Sequence, residues 1–210
     1  MTLQIGMLLF PRLTQLDLTG PFELLHRIPD ARVHLLWKDR EPVSADSGLG
    51  LLPTTLLGDC PALDVLVVPG GPGVRPLMTD ETVLAFLRQQ GRSARWVTSV
   101  CTGALLLGAA GLLDGYDATT HWAYVDLLPT FGARHVRQRL VVDRNRITGG
   151  GVAAGLDFGL RPVSELAGER VAKAIQLGLE YDPEPPFRSG HPTVADPTLV
   201  EEVRSLLARR

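Results

Sequence analysis

The stretch Trp96-Val97-Thr98-Ser99-Val100-Cys101-Thr102-Gly103-Ala104-Leu105 constrains the fold more than any other part of the chain. A short apolar run ends at a small nucleophilic residue, and a Gly/Ala/Leu-rich helical stretch starts at once. That order predicts a strand-to-helix elbow, the turn that lifts a nucleophile clear of a sheet. A thiol there sits at a helix N-terminus, where unpaired N–H groups and the helix dipole favour an anion. The expectation is a lowered cysteine pKa and an available thiolate. A buried, inert cysteine is the competing reading.

The rest of the chain supplies a sheet for that elbow. Ile5 to Phe10, Val33 to Trp37 and Asp64 to Val68 are further short apolar runs, separated by helical patterns. Strands that are apolar almost throughout must be buried on both faces, which predicts a mostly parallel sheet between helices. The expected fold is an α/β three-layer sandwich, with all 210 residues in one domain. Gly20-Pro21-Phe22-Glu23 reads as a helix start with proline in the first position, preceded by a connector at Leu16 to Thr19. Asp80 is placed to cap a helix from Glu81 to about Gln90, and the elbow helix is expected from Thr102 to about Leu113. Ala118 to His121 reads as a strand edge and Leu140 to Thr148 as a strand pair.

A helical region is expected from Gly149-Gly150-Gly151 to about Tyr181. Pro162 inside it should kink or break the helix. Residues 42 to 57 read as an irregular excursion. Residues 182 to 197 are proline-rich and extended, followed by an amphipathic helix from Pro197 to about Leu207.

Composition excludes several functions. The net charge is −2 and no lysine/arginine cluster stands out, so neither nucleic acid nor an anionic membrane has electrostatic support as a partner. No apolar run approaches the length of a membrane span, and no signal peptide is expected. The two cysteines, Cys60 and Cys101, show no zinc spacing and no disulfide framework, which fits a reduced cytoplasmic setting. Neither a metal nor an organic cofactor is expected.

In an open parallel sheet, function gathers outside the carboxyl ends of the strands. Three segments end there: Pro69-Gly70-Gly71, Cys101-Thr102, and the loop that carries Asp17. The Gly70 and Gly71 N–H groups, with that of Thr102, suit an oxyanion-type pocket beside the sulfur. A tight turn that needs positive φ explains either glycine equally well. Asp17 lies between Leu16 and Leu18, and a carboxyl in apolar surroundings beside a thiolate tends to keep its proton. It then serves as an acid/base; an exposed or helix-capping acid is the alternative. Thr102 brings a hydroxyl beside the nucleophile, or is a first-turn residue of no chemical consequence. His121 suggests a Cys-His dyad, but nothing in the sequence fixes its distance from Cys101. Cys60 reads as a spectator.

Val68-Pro69-Gly70-Gly71, Ser99-Val100-Cys101-Thr102-Gly103-Ala104 and Thr119-Thr120-His121-Trp122 resemble the motifs of the ThiJ/PfpI branch of the class I glutamine-amidotransferase-like superfamily. The resemblance runs over roughly residues 3 to 181. It implies a flavodoxin-like sandwich and a homodimer. The elbow motif identifies the superfamily but not the reaction, since members include amidotransferase-like enzymes, proteases, glyoxalases, chaperones and the ligand domains of AraC-type regulators. Asp17 in place of the glutamate of many members, Thr102 after Cys101, and the tail Pro185-Pro186-Phe187 are similar to the members that hydrate isocyanides to N-substituted formamides. That likeness implies Cys101 as nucleophile, Asp17 as acid/base and Thr102 as an essential hydroxyl, with an isocyanide and water as reactants. Another cysteine hydrolase or glyoxalase-like enzyme, and a non-enzymatic redox-sensing or chaperone-like protein, are the other readings. A regulator would need a helix-turn-helix module, and the residues after Tyr181 are proline-rich and not basic.

Overall fold

Residues 2–209 are described by a computed structural model. Seven strands form the main sheet, in spatial order β10-β11-β7-β6-β1-β2-β5. They are β1 (Leu3–Leu8), β2 (Ala31–Trp37), β5 (Thr55–Leu56), β6 (Val65–Val68), β7 (Trp96–Val100), β10 (Leu140–Asp143) and β11 (Arg146–Gly149). All neighbours pair in parallel except β10 and β11, which form the expected antiparallel pair. All four residues of β6 are buried, as its continuous apolar sequence requires for a strand covered on both faces. The excursion at 42 to 57 contributes the edge strand β5 and a small antiparallel pair, β3 (Val43–Ser44) and β4 (Gly50–Leu51).

The helices are α1 (Gln15–Leu25), α2 (Val74–Leu77), α3 (Glu81–Ser93), α4 (Gly103–Ala109), α5 (Ala154–Ala167), α6 (Glu169–Gly178) and α7 (Pro197–Ala208). Helix α1 begins at Gln15 and not at Gly20, so Pro21 lies inside it and Asp17 in its first turn. Proline removes one backbone donor, and the packed apolar face outweighs that loss. Asp80 caps α3 as expected, its Oδ1 accepting from Val83 N at 3.2 Å. Helix α4 is shorter than expected. Gly111, at φ +75°, donates to Gly108 O, and Leu112 N donates to Leu107 O. That Schellman turn stops the helix before Leu113.

Pro162 does not break α5, which runs unbroken to Ala167. The proline is buried beside a fully buried Phe158, and the rest of the helix is held by its packing against α1 and α6. The interruption falls instead at Gly168, whose φ of +90° separates α5 from α6. Helices α1 and α5 cross at small residues: a Cβ on Gly159 would come 2.5 Å from Leu24 Cδ1, and one on Gly155 3.2 Å from Pro21 Cδ. This crossing anchors the helix that carries Asp17. The expected strand edge at 118 to 121 shortens to β8 (Asp117–Ala118), paired in parallel with β9 (Arg134–His135) in a separate small sheet.

Candidate active site

Strands β6 and β7 are paired to their ends, Val68 opposite Ser99, so Pro69-Gly70-Gly71 and Cys101 leave the sheet side by side. Cys101 has φ +55°, a left-handed conformation that costs a non-glycine residue about 1–2 kcal/mol. Three contacts hold it there. Its N–H donates to Gly149 O at 3.0 Å, its carbonyl accepts from Thr120 Oγ1 at 2.8 Å and, at 3.5 Å, from Ala104 N. Strand β7 thus turns into α4 through a left-handed Cys101. Thr120 and Gly149 are supports that sequence reasoning missed, because neither is chemically reactive nor near Cys101 in the chain.

Helix α4 leaves the elbow pressed onto β6. A Cβ on Gly103 would come 2.2 Å from Val68 O and 2.7 Å from Pro69 O, both backbone atoms with no room to yield. Gly103→Ala is expected to cost about 1–3 kcal/mol of stability, the usual scale of overpacking, despite alanine's better helix propensity. Denaturant unfolding measures it, and a variant as stable as the parent would contradict the close approach.

Asp17 is fully buried. Its Oδ2 accepts from Gly70 N at 3.0 Å, while Oδ1 has no hydrogen-bond partner. Gly71 N donates to Thr102 Oγ1 at 2.9 Å. Both glycine N–H groups expected to face a ligand are thus taken by the site's own side chains. They position Asp17 and Thr102 and are not free oxyanion donors. Glycine is required at both places: a Cβ on Gly70 would sit 2.6 Å from Thr102 N and 2.8 Å from Asp17 Oδ2, and Gly71 has φ +130°.

Burial raises the Asp17 pKa from 3.8 to about 7, against the opposing hydrogen bonds from Gly70 and Cys101; the nearby Asp46 raises it further. The carboxyl is therefore close to half protonated near neutral pH, as a carboxyl in apolar surroundings should be. The Cys101 thiol goes the other way from the sequence expectation. Burial, and then the charge of Asp17, push its pKa well above the ordinary value, while the Thr102 N–H and hydroxyl pull it down. Desolvation of a nearly enclosed sulfur outweighs the favourable end of a short helix. Sulfur and carboxyl are best treated as a pair that shares protons.

Ionising Asp17 in the folded protein costs stability. Below pH 3.8 the cost is absent; it grows to pH 7 and is constant above, at about 4 kcal/mol. Asp17→Asn should therefore be more stable than the parent at pH 8 and lose that advantage at pH 4. Chemical denaturation at the two pH values tests this, and an equal difference at both would refute it.

Cys101, Thr102, Gly71 and His121 open onto one cavity of about 660 Å³. Asp17 does not line it; the carboxyl lies behind Gly70 and against Cys101. Apolar walls come from Leu105, Tyr124, Leu127, Val152 and Leu207, while Arg12, Thr14, Asp46 and Arg75 give a polar side. Burial lowers the His121 pKa, so the ring is neutral near pH 7. Its Nδ1 accepts from Ala123 N at 3.3 Å and caps the 3₁₀ stretch Trp122–Phe131. Among the described residues no hydrogen bond joins it to Cys101, and no Cys-His dyad is formed. Cys60 is far from this arrangement in role: its thiol donates to Pro61 O and burial raises its pKa to about 11. No group of three or more His, Cys, Asp or Glu placed to hold a metal occurs among the described residues, and no helix there is long and apolar enough to cross a membrane.

The chain matches the model of the DJ-1/PfpI family over residues 4–165. It is 58% identical over 208 residues to isonitrile hydratase of Pseudomonas putida, covering 99% of this chain and 91% of that protein. It is 35% identical over 186 residues to the HTH-type transcriptional regulator GbdR of Pseudomonas aeruginosa, of which it spans half the length. A ThiJ/PfpI family protein from Pseudomonas syringae has a crystal structure that superposes with a TM-score of 0.97 at 44% identity, covering all of this chain and 87% of that one.

Proposed function

The chain belongs to the DJ-1/PfpI family, and from that premise we propose that it is a cofactor-free isonitrile hydratase, converting an isocyanide and water to an N-substituted formamide. The observation that carries this reading is the buried pair at the elbow: a thiol and a carboxyl in contact, with a carboxyl pKa of about 7. The terminal carbon of an isocyanide must receive a nucleophile and a proton at the same atom. A thiol and a carboxylate that share one proton supply both.

In the first step Cys101 Sγ bonds to the isocyanide carbon. The thiol proton passes through Asp17 to the same carbon, giving the thioimidate R–N=CH–S–Cys101. In the second step water bonds to that carbon and a proton reaches nitrogen. The hydroxyl proton then returns through Asp17 to sulfur as the C–S bond breaks. The products are R–NH–CHO and the free thiol, so one water is consumed and nothing is oxidised or reduced. The Thr102 N–H and hydroxyl stabilise the sulfur while it carries charge. Gly70 and Gly71 act by holding Asp17 and Thr102 in place.

The raised thiol pKa and the burial of Cys101 weigh against an oxidation-sensing role, since susceptibility follows thiolate character and exposure. We infer further that the chain works as a single domain and as a homodimer, in the reduced cytoplasm, without a nucleic-acid partner. Light scattering measures the assembly state. Incubation with cyclohexyl isocyanide in ¹⁸O-labelled water tests the activity. N-cyclohexylformamide carrying the label is expected, and its absence with cyclohexyl, methyl and aryl isocyanides alike would overturn the reading.

A further inference from the structure

We propose that the C-terminal helix α7 forms the wall of the substrate cavity that recognises the apolar group of the isocyanide, with Leu207 as a specificity-determining residue. This rests on the isocyanide reading above. Four observations carry it. Leu207 and Ala208 line the same cavity as Cys101. The helix is docked onto the segment that follows His121: Tyr124 Oη donates to Leu207 O at 3.3 Å, and the Arg204 guanidinium lies 5.1 Å from the centre of the Trp122 ring. Tyr124 itself lines the cavity, so the docking contact and the substrate wall are continuous. Finally, α7 lies outside residues 4–165, the part matched by the family model, but within the length shared with the isonitrile hydratase of Pseudomonas putida. The elbow at Cys101 lies within the part matched by the family model, and α7 lies outside it.

The position suits selection more than catalysis. The reacting carbon is at Cys101, and what remains of an isocyanide is its R group, which must occupy the rest of a cavity of about 660 Å³. Leu105, Leu127, Val152 and Leu207 offer that group an apolar surface with no charge among them. The helix is fixed at its start by Asp196, whose Oδ1 accepts from Thr198 N at 2.9 Å and Leu199 N at 3.3 Å, with Pro197 in the first position. None of its residues is fully buried, so substitution at its C-terminal end leaves the core intact.

The test compares kcat/KM for cyclohexyl isocyanide with that for methyl isocyanide. Leu207→Trp removes space and Leu207→Asn removes apolar contact. Each should lower the cyclohexyl-to-methyl ratio by about 10-fold, mainly through KM, the usual discrimination for one apolar contact. An unchanged ratio in either variant overturns the proposal. A second readout does not need isocyanide turnover: the relative rates at which N-cyclohexylmaleimide and N-methylmaleimide modify Cys101, followed on its peptide by mass spectrometry. The same fall in ratio is expected. If the parent hydrates neither isocyanide, the functional reading fails, and the maleimide ratio still decides whether α7 walls the cavity.

Discussion

Cys101→Ala is expected to lose turnover by about 10⁴-fold or more while folding as the parent does, because on the proposed route it removes the only protein atom that bonds to the isocyanide carbon. Cys101→Ser should be nearly as inactive. A hydroxyl gives up its proton far less readily than a thiol, and the same burial that raises the Cys101 pKa acts on it as well. The covalent step has a signature of its own. Addition of a thiol to an isocyanide expels nothing, so the protein should gain the full mass of the isocyanide, on the peptide that contains Cys101. Rapid acid quench during turnover followed by intact-mass analysis looks for that adduct. Turnover that survives either substitution, or an adduct on another residue, would sink the covalent route. Circular dichroism and denaturant unfolding of both variants separate lost chemistry from lost fold.

The second large effect is at Asp17. On the proposed route, attack needs one proton on the Asp17–Cys101 pair, so that the carboxylate takes it from sulfur and hands it to carbon. Below about pH 7 the carboxyl is protonated and the pair holds two protons. kcat/KM should therefore rise with pH through about 7 and level off above, where the thiol still keeps its proton. Asp17→Asn keeps an oxygen to accept from Gly70 N but cannot carry the proton. It should lose about 10²-fold or more in turnover, and the step near pH 7 should vanish with it. Asp17→Glu should also lose about 10²-fold, because the extra methylene displaces a carboxyl that is fully buried and held by Gly70 N. A rise through the same pH that persists in Asp17→Asn would assign the step to another group.

The architecture of the sheet was legible in the residues. Val65 to Val68 is apolar along its whole length, and only a strand covered on both faces accepts such a run. The turn at Cys101 was legible because an apolar run stops there and a Gly/Ala/Leu-rich helical pattern starts at once. The likeness of the Pro69-Gly70-Gly71, Cys101-Thr102 and His121 segments to the ThiJ/PfpI motifs carried the family, and the family model covers residues 4–165.

Where local signals competed with packing, they lost. Pro21 read as the first position of a helix and Pro162 as a kink or break; both lie inside continuous helices, which cross at Gly155 and Gly159. A helix N-terminus suggested an acidic thiol at Cys101, and burial reversed the sign, since desolvation depends on everything packed around the sulfur and not on its neighbours in the chain. Residue order alone carried the long apolar strands, the turn at Cys101 and the residue types of the site. The strands and the turn at Cys101 are set by short-range patterns: the period of apolar residues and the steric needs of a turn. Only the tertiary structure decided that Gly70 and Gly71 hold Asp17 and Thr102, that Thr120 pins the elbow, and that Leu207 reaches the cavity from the far end of the chain. Those contacts join segments 19 to 106 residues apart, and the linear order of residues carries no record of a distance closed by folding.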